Sequence, residues 1–266
     1  MFALERYPVP APDLDVATFA ATWLRRRAPT VRPLTVIAYT KSLRTVIGPV
    51  LGDVPLAQLD RAHVLVWLES LAIRGLRPAT IHLALAIIGM LCREAIEMEL
   101  RSTDPTRGLL RRYNPRPRLR TVYTATEMAE FLAVAGRMLG PIYAGVYALC
   151  GLAALRIGEA RGVQVGDVEL EARRLHVVRQ LDPHNVPGIT KGGRERTIEC
   201  CASLMPYLVP LMTGSGHAWL CAEPGTGWPP PYHTLWRKAR KLAHTAGEPV
   251  LSPQALRHGF GSRLTA

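Results

Sequence analysis

Three short stretches of this chain carry the residues best suited to hold a charged reacting group. The first is Leu155-Arg156-Ile157-Gly158-Glu159, where an arginine follows a long uncharged run and an acid stands three residues on. A charge at the end of a buried helix must be paired or must hold a ligand, and Glu159, one helical turn away, is placed to orient Arg156. The second is Thr190-Lys191-Gly192-Gly193-Arg194-Glu195-Arg196, a basic turn between two strand-like segments that puts a lysine at the tip of a hairpin. The third is Gln254-Ala255-Leu256-Arg257-His258, at a helix start after Ser252-Pro253. The planar fork of an arginine matches two oxygens of a phosphate at once. Taken alone, each stretch also has an ordinary explanation: a structural salt bridge, a solvated hairpin tip, a partner for a helix dipole.

The charge of the whole chain points the same way. Its 266 residues hold 33 Lys and Arg against 21 acids, a formal +12. A balance this basic suits nucleic acid, although ribosomal and membrane-surface proteins share it. Both parts of the chain stay basic when it is divided at Arg112, so the charge is not confined to a tail. The five cysteines (Cys92, Cys150, Cys200, Cys201 and Cys221) are odd in number and form no C-x-x-C pair. They read as small buried apolar residues in a reducing cytoplasm. The first residues lack a basic segment followed by an apolar core, so no signal peptide is expected.

The first third must fold as helices. Val16, Phe19, Ala20 and Trp23 recur at helical spacing, and Val36, Tyr39, Leu43, Val46 and Ile47 do the same before Gly48, Pro49 and Gly52 break the chain. A third helix is expected from about Arg61 to Ile73 with Asp60 as N-cap, closed by Gly75. Pro78 suits the first turn of a fourth, with Ile81, Leu85, Ile88, Leu91, Ala95 and Met98 as its stripe. From Asp104 to Tyr123 the chain is instead rich in proline and arginine, including Arg111, Arg112, Arg116 and Arg118. Such a segment is either a solvated tether or a basic strand able to follow a phosphate backbone.

After Thr124 a second region begins. Thr126 and Glu127 are expected to open a helix reaching about Ala135. The run Met138–Leu155 carries no charge, but Gly140-Pro141, Gly145 and Gly151 interrupt it, so a helix buried in a protein core is expected rather than a membrane span. Short strands are expected at Arg174–Gln180 and Arg196–Glu199, with Gly188–Arg194 in the turn between them. A helix follows from His233 to Ala246 with Leu235, Trp236, Ala239 and Leu242 inside, stopped by Gly247. A last helix starts near Ser252-Pro253.

The order and spacing of the three basic stretches, behind this helical region, resemble the tyrosine recombinase (phage integrase) family over nearly the whole chain. Pro33–Leu110, with Leu51-Gly52-Asp53, Gly75-Leu76-Arg77-Pro78-Ala79-Thr80-Ile81 and Asp104-Pro105, resembles its helical core-binding domain. Leu155–Glu159 followed by Asp167-Val168 resembles the box around the first catalytic arginine, Thr190–Gly193 with Arg196 the hairpin lysine, and Pro253–His258 the H-x-L-R-H box of the second arginine. The resemblance implies a mainly α chain with a small β-sheet. It would comprise a SAM-like core-binding domain at 13–112, a basic linker at 113–123, and a partial α+β catalytic domain at 124–266.

The chemistry so implied is DNA strand cleavage and rejoining through a 3′-phosphotyrosine, with neither metal nor cofactor. Arg156 and Arg257 would stabilise the anionic transition state, and Lys191 would protonate the leaving 5′-oxygen. Glu159, Gln254 and His258 would support them, and Arg111, Arg112, Arg116 and Arg118 would contact DNA. Two departures stand out. Gln254 occupies a position where the family usually has His, and Gln cannot take up a proton near neutral pH. The family continues past the second arginine to a tyrosine nucleophile, and His258–Ala266 contains no tyrosine; Tyr207 and Tyr232 lie in the wrong part of the order. The expectation is therefore a catalytic domain incomplete at its C-terminus, a cytoplasmic protein that binds double-stranded DNA without cleaving it in cis. When complete, it would act as a homo-oligomer, a tetramer on paired sites. The alternatives are an inactive remnant or regulator occupying recombination sites, and a basic helical protein for RNA or ribosomes.

Overall fold

The computed structural model describes residues 14–113, 121–190, 192–247 and 249–264. The chain divides into two compact units, Met1–Arg118 and Leu119–Ala266. It is mainly helical, with a small antiparallel sheet in the second unit.

The first unit is built from α1 (Val16–Arg27), α2 (Pro33–Ser42), α3 (Gly48–Leu51), α4 (Arg61–Ile73), α5 (Pro78–Glu97) and the short α6 (Leu109–Arg112). Asp15 caps α1 by accepting from the Thr18 N–H at 2.6 Å, and Asp60 caps α4 through the His63 N–H at 2.9 Å. Phe19, Trp23, Trp67, Leu68, Leu71, Leu85, Ile88 and Leu91 are all at most 1% exposed and form one core. One expectation fails here. Gly48-Pro49 does not break the chain, which passes from α2 through a π-helical turn (Leu43–Ile47) straight into α3. Pro49 has no N–H to continue the ladder at that point, and the carbonyl of Val46 is taken by the Trp67 indole at 3.0 Å. Helix α5 is long and apolar enough to cross a membrane, and half of that stretch is buried inside this unit.

The second unit has a helical core around α7 (Ala125–Leu139), α8 (Pro141–Leu152), α11 (Tyr232–Ala246) and α12 (Pro253–Leu264), with short α9 (Ile157–Arg161) and α10 (Met205–Leu208) between them. Helix α7 starts one residue before the expected Thr126: Thr124 is the N-cap and forms a capping box with Glu127. The uncharged run forms α8, buried along most of its length against α7 and α12, and the Tyr147 hydroxyl donates to the Leu235 carbonyl at 2.7 Å. Gly247, at φ +70°, ends α11 as expected. Trp236 is only half-buried. Among the cysteines, Cys201 is exposed where burial was expected, and all five are free.

The sheet runs β1 (Val168–Glu169), β2 (Arg174–Val177) and β5 (Arg196–Glu199), with Val177 opposite Arg196. Between β2 and β5 lies a separate two-stranded hairpin, β3 (Gln180–Leu181) and β4 (Pro187–Gly188). The single hairpin expected from Arg174 to Glu199 is thus two. The Asp182 carboxylate, accepting from the His184 and Val186 N–H groups at 2.8 Å each, closes the extra turn.

Candidate functional site

Arg156 and Glu159 are placed by the way α8 gives way to α9. Ala154 takes a left-handed conformation, φ +53°, that turns the chain after α8. Leu155 is then fully buried, and Arg156 becomes the N-cap of α9. Glu159 stands at the third position of that helix and reaches back to it. One carboxylate oxygen accepts from the Arg156 N–H at 3.0 Å, the other from Arg156 Nη1 at 2.7 Å. This is the acceptor half of a capping box, with the guanidinium bound as well as the backbone.

Glu159 is 0% exposed and has a second cation. Arg196 Nη2, from the first residue of β5, donates to Glu159 Oε2 at 2.7 Å. Burial works against the Glu159 charge, but the bonds from Arg196 and Arg156 outweigh it and hold the carboxyl below its ordinary range. Arg156 and Arg196 keep about a third of their side-chain surface exposed, at 34% and 35%. Each therefore turns one nitrogen inward to Glu159 and leaves the rest of its fork available.

Arg257 joins this group from α12. The Ser252 hydroxyl caps that helix by accepting from the Ala255 N–H at 3.1 Å, and buried Leu256 anchors it. The Arg257 guanidinium is held below its ordinary value by burial first, then by repulsion from Arg156 and Arg196, with Glu159 opposing. Its Nη1 is buried and has no hydrogen-bond partner among the described residues. Two guanidiniums thus share one carboxylate, a third lies within their electrostatic reach, and one of its buried donors has no partner among the described residues. Such a donor costs free energy unless a ligand or water fills it.

The opposite end of α9 fixes the strands beside the site. Arg161 is 1% exposed and donates to the carbonyls of Pro230 and Asp182, both at 2.9 Å, and to the Asn185 side chain. Helix α9 lies so close to β3 that a Cβ on Gly158 would meet the Leu181 carbonyl at 2.8 Å, and one on Gly162 would meet Gln180 at 3.0 Å. Beyond β4, the Thr190 hydroxyl donates to the Arg194 carbonyl at 2.8 Å and the Gly193 N–H to the Thr190 carbonyl at 2.9 Å, closing the turn that leads into β5.

Of the residues nominated from sequence, Arg156, Glu159 and Arg257 come together. Gln254 and His258 are half-buried on α12, three residues before Arg257 and one after it. Arg111 and Arg112 are exposed at the end of α6, in the first unit. Lys191, Arg116 and Arg118 lie outside the described residues. Arg196 was noted in the sequence as part of the basic turn but not as a member of the site. Its signal was legible: it shares the inward face of β5 with Ile198, between exposed Thr197 and Glu199, and an arginine on that face needs a partner.

Two family models match the chain: the phage integrase central domain over residues 16–111 and the phage integrase family over residues 123–266. Comparison with curated proteins finds no match. Among solved structures, the Tn1549 transposon integrase in complex with transposon right end DNA is 19% identical. The match covers 94% of this chain and 86% of that one, at a TM-score of 0.81. A lambda integrase dimer bound to a core site is 16% identical, with coverage of 94% and 89% and a TM-score of 0.74. A lambda integrase tetramer bound to a Holliday junction is 15% identical, with coverage of 98% and 77% and a TM-score of 0.73. At these identities the likeness is one of fold.

Proposed function

The chain belongs to the phage integrase family, and on that premise we propose that it serves site-specific DNA recombination, gripping duplex DNA and holding one backbone phosphate for strand exchange. The observation that carries this reading is the buried, unpartnered Nη1 of Arg257 beside Arg156, which Glu159 orients. Two forked cations, one of them with an unpartnered donor, suit the non-bridging oxygens of a phosphodiester, whose negative charge grows in the transition state. Lys191 is assigned as the acid that protonates the leaving 5′-oxygen, and Gln254 and His258 as supports of Arg257 on its helix. Glu159 fixes Arg156 and keeps the cluster from repelling itself apart.

Exposed Arg111 and Arg112, with Arg116 and Arg118 in the basic linker 113–123, are assigned to the DNA phosphate backbone. Assembly as a tetramer on paired sites belongs to the same reading. No residue within 1–266 is assigned as the nucleophile. The alternative reading is occupancy of recombination sites without cleavage.

A nicked duplex that traps the covalent intermediate separates the two. A covalent complex that falls on the order of a hundredfold or more on Arg156→Ala or Arg257→Ala supports strand exchange. Salt-sensitive duplex binding with no covalent product supports site occupancy, and a preference for structured RNA over duplex DNA overturns both. In either DNA reading, Arg111→Ala and Arg112→Ala should each lower the salt dependence of binding by about one unit of slope.

A further inference from the structure

We propose that Arg196 is a positioning residue of the phosphate site, and that anion binding at Arg156 is passed through Glu159 and Arg196 to the turn Thr190–Arg194. The proposal rests on the reading of Arg156 and Arg257 as phosphate ligands given above. Its physical basis is competition for one buried carboxylate. Glu159 has no solvent exposure, so its charge must stay paired inside the protein. Its two cationic partners are Arg156 and Arg196, both at 2.7 Å.

Arg156 is the partner that an anion would also engage. When an oxyanion draws on the Arg156 fork, part of its positive charge is neutralised and its hold on Glu159 weakens. Glu159 then depends more heavily on Arg196, and that bond tightens. Arg196 opens β5 and stands two residues after Arg194, whose carbonyl receives the Thr190 hydroxyl. Tightening Arg196 therefore restrains the C-terminal side of the turn. The N-terminal side, through Asp182 and Asn185, is already tied to the same short helix by Arg161. By linkage, a turn held in place raises the affinity of the site for its anion by the same factor.

The test is amide hydrogen exchange of Gly192–Arg194 in the 266-residue chain, with and without inorganic phosphate at constant ionic strength. Phosphate is too small to cover the turn, and the measurement is made in Lys191→Ala as well as in the wild-type background, so a change that persists without that side chain must travel through the protein. In the wild type, phosphate should slow exchange of these amides by roughly fivefold or more. In Arg196→Ala and in Arg196→Gln, which keeps a donor but loses the charge, phosphate should still raise the melting temperature. Its apparent affinity should fall only by about the same factor as the lost turn response, while the turn no longer responds. Arg196→Lys should restore part of the response.

A turn that responds equally in wild type and in both neutral variants overturns the proposal. So does a neutral variant that loses phosphate binding as fully as Arg257→Met, because Arg196 is then a direct ligand. A wild-type turn that ignores phosphate, although binding depends on Arg257, also overturns it and leaves the phosphate site standing. Phosphate binding that does not depend on Arg257 removes the site itself, and the proposal with it.

Discussion

Arg161 and Arg257 lie in the same unit, and burial pulls both guanidiniums below their ordinary pKa, yet their nitrogens are used differently. All three nitrogens of Arg161 reach neutral acceptors, on Pro230, Asp182 and Asn185. Arg257 keeps Nη1 buried and empty, with two more cations near it. The helical unit repeats the filled pattern: Arg101 donates to the carbonyls of Thr103 at 2.7 Å, Leu56 at 3.0 Å and Leu59 at 2.6 Å. A guanidinium whose donors are filled by carbonyls pins loops together and has nothing left for a ligand. One left open among like charges is stable only in company, and an arriving anion supplies it. The same residue type is architecture in one region and a binding device in the other.

The largest effect that can break this comparison is expected at Arg161. Arg161→Met strands three acceptors, one buried and two part-buried, and should cost about 3 kcal/mol in urea unfolding. A loss under about 1 kcal/mol would show that the filled arginine is not holding the hairpin. Arg101→Met comes next, at about 2 kcal/mol, because its carbonyl partners are only partly shielded and water can replace some of the bonds. Neither change should alter the stabilisation that phosphate confers.

A smaller effect sharpens the comparison through pH. Glu159 is the shared counter-charge of the open cluster, and its carboxyl is held below the ordinary carboxylate range. A group depressed in the folded state contributes stability that is present above its unfolded pKa and lost as pH falls through the folded one. Stability should therefore decline on acidification below the ordinary glutamate range, more steeply in the wild type than in Glu159→Gln. Equal acid limbs in the two proteins would mean that Arg156 and Arg196 do not hold the charge.

What the sequence revealed of all this follows the range of the interactions involved. Asp60, Pro78, Gly75 and Gly247 act within a few residues of themselves, and each marks a helix end where the structure has one. The box residues Arg156 and Arg257 were legible because local pattern and order along the chain single them out. The π-helical turn before Pro49 was not, since it depends on Trp67 donating to Val46 across 21 residues. Nor was the difference between Arg161 and Arg257 visible. Both are arginines near helical segments, and only the acceptors supplied by Pro230, Asp182 and Asn185, 21 to 69 residues away, separate a filled fork from an open one. Arg196 fell between these cases. Its alternation along β5 was readable, but its partner Glu159 lies 37 residues upstream.

The smallest stability effect is also the most informative, and it falls on Arg257. Arg257→Met removes a half-buried charge that Arg156 and Arg196 repel, and fills the space with an unbranched apolar side chain. Replacing poorly paired buried charge by apolar volume is commonly neutral or stabilising. The ligand-free variant should therefore unfold within about 1 kcal/mol of the wild type, or slightly later. Its response to ligand should differ completely. A site at a hundred times its dissociation constant adds about 2.7 kcal/mol to the folded state, and the variant should lose most of that in phosphate while keeping its salt-dependent grip on duplex DNA through the other basic residues. If the ligand-free variant instead loses more than about 2 kcal/mol, Nη1 has an internal acceptor, Arg257 belongs with Arg161, and the distinction between filled and open arginines no longer locates the site.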